Sequence, residues 1–291
     1  MSQLLSIDLP ECARSVQLDT SRGTFAALDA DVPAPATQHG TALLVPGFMG
    51  SKEDFLTLIP HLNAGGMRVV AIDGRGQYES GEASASSSYT RDDLALDLVA
   101  IVQALDDGPV HLVGHSYGGI AARAAVINTG GDKRLWSSLT LINFGPGAVS
   151  TWQQERLRLL LSVIGTMSMA DIWPHVKNTE VSVPENVSLF LEKRWLRTSP
   201  NQLAAAAEHM LSEQDSSQAL ARTLVPIAVV SGTPDETWEP TRVEAMAHNL
   251  GAQFIRIEGG GHSPNVHKPQ ETAPSLLRFW QQSSKANKVS L

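Results

Sequence analysis

Residues 110–119 read V-H-L-V-G-H-S-Y-G-G, and no other stretch constrains this chain as much. Val110, Leu112 and Val113 make a short apolar run of the kind that forms a buried strand. The run breaks at Gly114-His115-Ser116-Tyr117-Gly118, and a helix-forming run from Ile120 to Val126 follows at once. A strand that turns directly into a helix leaves little space at the turn, so residues without bulk are needed at 114 and 118. The serine between them is then held in a strained conformation with its hydroxyl exposed. Ser116 also stands at the helix N-terminus, where backbone N–H groups and the helix dipole favour developing negative charge. A G-x-S-x-G pentapeptide alone carries little weight in a chain with 23 glycines. Its strand and helix context makes it a nucleophile elbow.

The chain before this turn alternates strand-like and helix-like segments. Residues 13–19 and 24–28 flank a Ser21-Arg22-Gly23 turn and read as an antiparallel hairpin, followed by a Pro-rich loop over 31–37. Residues 41–45 form a buried strand that ends at Pro46-Gly47-Phe48-Met49-Gly50. One helix is expected from Ser51, with Phe55, Leu58, Ile59 and Leu62 on its apolar face. A strand over 67–73 follows. Thr90 to Asp93 then has the form of a capping box, opening a helix with Leu94, Leu98, Ile101, Val102 and Leu105 on one face.

After the elbow helix, residues 139–143 read as another strand, and the stretch 148–221 has no strand-like run. It carries helical patterns instead, with Leu157, Leu160, Leu161 and Ile164 on one face and Leu203, Ala207, Met210 and Leu211 on another. Strands return at 225–231 and 252–257, with a helix between them near 242–250. The chain closes with an apolar helix ending near Trp280 and a polar tail over 283–291. Strand and helix alternation of this kind predicts an α/β fold, a mostly parallel central sheet with helices on both faces.

These motifs together resemble the α/β-hydrolase superfamily, from about Ala13 to about Trp280. The loop from Asp73 to Ser80 is similar to that family's Asp-x-Arg-Gly-x-Gly-x-Ser loop, with Tyr78 in place of the second glycine. A turn and an Arg–carboxylate contact account for that loop without chemistry. The resemblance implies a core in two parts, residues 1–147 and 222–291, with a helical lid inserted over 148–221. It also implies a triad in the order Ser116, Asp235, His262. Gly259-Gly260-Gly261 before His262 lets a short loop bring the imidazole back over the sheet. His115 is expected to point away from the nucleophile's side. Asp235 stands three residues after Gly232 at a strand end, with Glu236 as its neighbouring competitor. Acyl transfer needs two backbone N–H donors on the oxyanion, and Phe48 and Tyr117 are placed to supply them. Many relatives carry His-Gly where this chain has Pro46-Gly47, and Pro46 has no N–H to give. In the lid, Trp152, Met167, Met169, Trp173 and Trp195 are candidates to line an apolar acyl pocket, or else to pack the lid's own core.

Composition excludes other classes. At 291 residues, 42% hydrophobic and 18% charged, the chain can bury a large core. The net charge of −8 is dispersed, and no basic cluster interleaves with aromatics, which argues against nucleic acid as a partner. No apolar stretch has the length of a membrane span, and the first residues lack a basic region followed by an apolar one, so the sequence reads as cytoplasmic. Cys12 is the only cysteine and cannot form an internal disulfide. No metal-binding or phosphate-loop spacing occurs, so no cofactor or metal is implied. The expected partner is a small apolar ester or other acyl substrate. Thioesterase, lactonase, C–C bond hydrolase and aminopeptidase chemistry stay open on the same triad, as does a slow-turnover small-molecule receptor.

Overall fold

Each central strand places alternate apolar side chains on opposite sides, which is what builds two core layers around one sheet. Leu43 and Val45, Val70 and Ile72, and Val110 and Leu112 face one layer. Ala42 and Leu44, Val69 and Ala71, and Val113 face the other. The computed structural model describes residues 4–32, 38–82, 89–177 and 183–289, so most of the expected Pro-rich loop, 33–37, lies outside the described residues.

The strands are β1 (Arg14–Thr20), β2 (Gly23–Ala30), β3 (Thr41–Val45), β4 (Arg68–Ile72), β5 (Val110–His115), β6 (Trp136–Ile142), β7 (Ile227–Thr233) and β8 (Gln253–Glu258). They form one sheet in the order β1-β2-β4-β3-β5-β6-β7-β8. The pairs β1/β2 and β2/β4 are antiparallel and the remaining pairs are parallel. Helices cover both faces. They are α1 (Ile59–Ala64), α2 (Arg91–Leu105), α3 (Gly118–Asn128), α4 (Thr151–Val163), α5 (Met169–Val176), α6 (Glu185–Arg197), α7 (Pro200–Ser212), α8 (Ser217–Ala221), α9 (Pro240–Leu250), α10 (Pro264–His267) and α11 (Pro269–Val289). Leu98 and Ile101 of α2, Ile120 of α3 and Met246 of α9 pack on the first face. Ile59 and Leu62 of α1, with Leu276 and Trp280 of α11, pack on the second. The Thr90 cap forms as the sequence predicts, its Oγ1 accepting the Asp93 N–H at 3.1 Å.

Element boundaries differ from expectation in several places. The helix expected from Ser51 is broken into a 3₁₀ turn, Lys52–Phe55, and α1. Pro60 has no N–H and belongs in a helix's first turn, so the helix starts again beside it, although Phe55, Leu58, Ile59 and Leu62 are all buried as the spacing requires. Strand β6 stops at Ile142, and Asn143 leaves it with φ of 44°. The last helix does not end near Trp280 but runs to Val289, with Ser283 buried and its hydroxyl donating to the Phe279 carbonyl at 2.9 Å. Among the described residues, no helix is long and apolar enough to cross a membrane.

His111 projects from β5 into the second layer, stacked on Trp280 at 5.1 Å with Nδ1 2.8 Å from the Ser138 hydroxyl. Burial pushes its pKa from 6.5 down to about 4. Between those values the unfolded chain holds a proton at this site that the folded chain does not, so its contribution is complete above 6.5 and is lost as pH falls toward 4. Urea unfolding measured across pH is expected to show stability falling over that window. His111→Gln should make the fall shallower by up to about one proton near pH 5.

Candidate active site

The turn after β5 is set by close backbone contact. A Cβ at Gly114 would lie 2.6 Å from Gly119 Cα, one at Gly118 2.5 Å from the Val45 and Pro46 carbonyl oxygens, and one at Gly119 2.7 Å from the Phe144 ring. Helix α3 therefore sits directly on the ends of β3 and β5, which adds Gly119 to the two positions expected to need glycine. Between them Ser116 takes φ of 51°, a left-handed conformation that is strained for a residue with a Cβ. Its N–H donates to the Ile142 carbonyl at 2.9 Å, and its carbonyl accepts the Gly119 N–H at 2.8 Å.

The loop after β8 folds back over this turn and brings His262 to Ser116. His262 Nε2 is 3.0 Å from Ser116 Oγ, and its Nδ1 is 2.9 Å from Asp235 Oδ1. With Nδ1–H donating to the carboxylate, Nε2 is left to accept the serine hydroxyl proton. The Asp235 side chain is only 3% exposed, whereas Glu236 is exposed. Burial alone would raise the Asp235 carboxyl. Hydrogen bonds from His262, the Thr237 N–H (2.9 Å) and Asn143 Nδ2 (2.9 Å) outweigh it and hold the group below the usual carboxylate range. The Trp238 indole stacks 6.5 Å from the His262 ring and donates to the Gly147 carbonyl at 2.9 Å.

Two residues beside this chain were given no role there by the sequence. Buried Asn143 donates through Nδ2 to the carbonyls of Gly232 (3.1 Å) and Gly261 (3.1 Å) as well as to Asp235, and its Oδ1 accepts the Gly232 N–H at 2.8 Å. One amide thus ties the end of β6 to the acid's strand and to the histidine's loop. An Asn at a strand end is the only local signal, and it is also a common turn residue. His115 does not point away from the site as expected. Because the 260 loop crosses the end of β5, His115 Nε2 donates to the His262 carbonyl at 2.8 Å. Its burial, together with the nearby His262, pushes its pKa down to about 4 and keeps it neutral.

The loop over 46–50 lies against the serine from the β3 side. A Cβ at Gly47 would come within 3.2 Å of Ser116 Cβ, and the Gly47 carbonyl accepts Gln77 Nε2 at 3.0 Å. Gln77 Oε1 in turn accepts the Gly74 N–H at 2.8 Å, bridging the loops after β3 and β4. Among the described residues, no protein acceptor meets the backbone N–H of Phe48 or Tyr117. Their rings pack edge to face at 6.5 Å.

A cavity of about 160 Å³ opens at Ser116 and His262. Its apolar wall is made by Phe48, Val149, Leu157, Leu160, Val176 and Met210, with Gln153 and Arg156 also lining it. Trp152, Met167, Trp173 and Trp195 do not line it, which corrects the expectation from sequence. Trp152 and Met167 are 49% and 37% exposed. Trp173 and Trp195 pack on each other at 6.2 Å in a separate buried cluster with Leu160 and Leu203, and Met169 packs against the same cluster. Large aromatics bury the most area inside the helical layer, and the smaller side chains on α4 and α7 are left to face the cavity. Elsewhere, Arg75 meets Asp97 as its loop predicts, at 2.7 Å through Nε.

Residues 42–275 match the alpha/beta hydrolase family. A probable esterase from Oryza sativa subsp. japonica is 26% identical over 254 residues, 84% of this chain and 92% of that protein. A 3-oxoadipate enol-lactonase from Acinetobacter baylyi is 23% identical over 208 residues, 70% of this chain and 75% of that protein. Among solved structures, an esterase from Thermogutta terrifontis superposes with a TM-score of 0.73 at 24% identity, covering 93% of this chain and 99% of that one.

Removing the Asn143 amide leaves several buried backbone partners without a mate, each such group costing on the order of 1–3 kcal/mol. Asn143→Ala is expected to lower the urea unfolding free energy by about 3 kcal/mol. The exposed Asn201→Ala serves as the control and should change it by less than about 0.5 kcal/mol.

Proposed function

We propose that this chain, which belongs to the alpha/beta hydrolase family and is a hydrolase of that fold, cleaves a carboxylic ester or related acyl bond through a covalent acyl-enzyme on Ser116. The observation that carries this reading is the continuous chain from Ser116 Oγ to His262 (3.0 Å) and from His262 to Asp235 (2.9 Å). Ser116 Oγ attacks the carbonyl carbon while His262 Nε2 takes its proton, giving a tetrahedral oxyanion. Collapse expels the alcohol, which receives that proton from His262. Water then attacks the acyl-enzyme with His262 again as base, releasing the acid and restoring the serine. Asp235 fixes the imidazole tautomer and stabilises the imidazolium. The free N–H groups of Phe48 and Tyr117 hold the oxyanion, a role for which Pro46 is not needed.

The segment 148–221 acts as a lid between the core parts 1–147 and 222–291. Gln153, Leu157 and Leu160 of α4, Val176 of α5 and Met210 of α7 support this, because all face the cavity over Ser116. A serine at the elbow separates this chain from enzymes of the fold that form an ester on a carboxylate. The absence of tyrosine from 148–221 removes the lid acid that epoxide opening uses. Names among the relatives, an esterase and an enol-lactonase, support carboxylic esters and lactones ahead of other acyl groups.

Ser116→Ala is expected to abolish hydrolysis of an activated p-nitrophenyl ester and fluorophosphonate labelling while the circular dichroism spectrum is unchanged. Substantial turnover by this variant would sink the mechanism. Labelling of the wild type without multiple turnovers would favour a receptor over an enzyme.

A second comparison separates the adjacent carboxylates. Asp235→Asn is expected to cut kcat by as much as about 10⁴. Glu236→Gln, altering an exposed side chain, should lose far less. The opposite ranking would make Glu236 the acid and leave the serine and histidine roles intact.

A further inference from the structure

The cavity at Ser116 is apolar on most of its wall, yet Arg156 lines it too, and histidines aside it is the one ionisable side chain among the described residues that does. Arg156 and Gln153 are three residues apart on α4 and so share a face, one turn from the apolar pair Leu157 and Leu160. The guanidinium is held 4.8 Å over the Trp152 ring. Among the described residues no carboxylate pairs with it, whereas Arg75 meets Asp97, Arg194 meets Asp54, and Arg91 and Arg123 both meet Glu213.

A chain of net charge −8 repels anions in general, so a cation at its cavity that no carboxylate among the described residues pairs acts against that background and at one place. The planar guanidinium presents parallel N–H donors that match a carboxylate, and Gln153 adds a neutral donor beside it. We propose that Arg156, with Gln153, is an anion subsite, and that the preferred substrates are esters or lactones bearing a carboxylate at the far end of a short apolar chain. The apolar chain lies against Leu157, Leu160 and Met210, with the scissile carbonyl at Ser116. This rests on the hydrolase reading above and narrows it, since the helical pattern by itself favours wholly apolar esters.

The test compares mono-p-nitrophenyl glutarate with its methyl-capped counterpart, which has the same chain without the charge. The wild type is expected to favour the anion about tenfold in kcat/KM, mainly through KM, as a partly exposed charge-assisted pair provides. That preference should shrink with added salt. The ratio should fall to about one in Arg156→Gln and invert in Arg156→Glu. A wild-type ratio of one, or a ratio unmoved by both substitutions, overturns the proposal even if the esters are hydrolysed. Calorimetric titration of Ser116→Ala with monomethyl and dimethyl glutarate separates the two readings. Arg156-dependent binding of the monoanion, with no turnover of any ester by the wild type, would leave the anion subsite standing and remove the hydrolase reading.

Discussion

Helix α3 is seated on the ends of β3 and β5 with glycine at each point of contact, and the position of Ser116 follows from that seating. A methyl group at 114, 118 or 119 would stand 2.5–2.7 Å from backbone or ring atoms, closer than real Cβ atoms come. Relief would require moving the helix. Such a shift moves Ser116 Oγ as well, and its 3.0 Å contact with His262 tolerates only a few tenths of an ångström before it ceases to be a hydrogen bond. The left-handed φ of Ser116 is held by the same contacts, together with the bonds to Ile142 and from Gly119.

Polar junctions do for the other strand ends what glycine does at β5. Asn143 gathers β6, β7 and the 260 loop onto one amide, and His115 holds the carbonyl of His262 itself. Just beyond the 46–50 loop, buried Lys52 meets Asp73 at 3.0 Å and Glu79 at 2.8 Å. Nearby, Arg194 of α6 reaches Asp54 at 2.7 Å, and Asn265 donates to the Asp54 carbonyl at 2.8 Å. Buried ion pairs add little net stability, because desolvation offsets most of their attraction. They do fix geometry, since breaking one leaves a charge without a partner. The site is thus suspended from junctions of backbone contact, one amide and buried charge.

The helical segment between β6 and β7 divides its side chains by size. Trp173 and Trp195 stabilise it from within, and Leu157, Leu160 and Met210 close the cavity. One turn of α4 then brings polarity to that cavity, through Gln153 and Arg156. A mixed wall of this kind can orient a ligand, where a wholly apolar one would only enclose it.

Much of this was legible in the sequence because it depends on local rules. The short apolar runs gave the strands, the glycine-flanked serine gave the elbow, and glycines before His262 and Gly232 before Asp235 pointed to two loops that the fold brings together. The break at Pro60 follows from the proline itself, which belongs in a helix's first turn, whereas the helix through Ser283 depends on a neighbouring surface that completes the burial. Asn143 was missed, and His115 was expected to point away, for a related reason. Their partners lie 89 to 147 residues away, and no spacing within the chain announces them. The tryptophans of residues 148–221 show the same division. Trp173 and Trp195 are buried while Trp152 is exposed, and which faces met the cavity depended on how α4 to α7 pack against one another. By itself the sequence determined the alternation of elements and the chemistry available at each loop, because periodicity and turn stereochemistry act over a few residues. Only the tertiary structure decided which side chains converge at Ser116 and which charge lines its cavity, because convergence is set by the packing of distant elements.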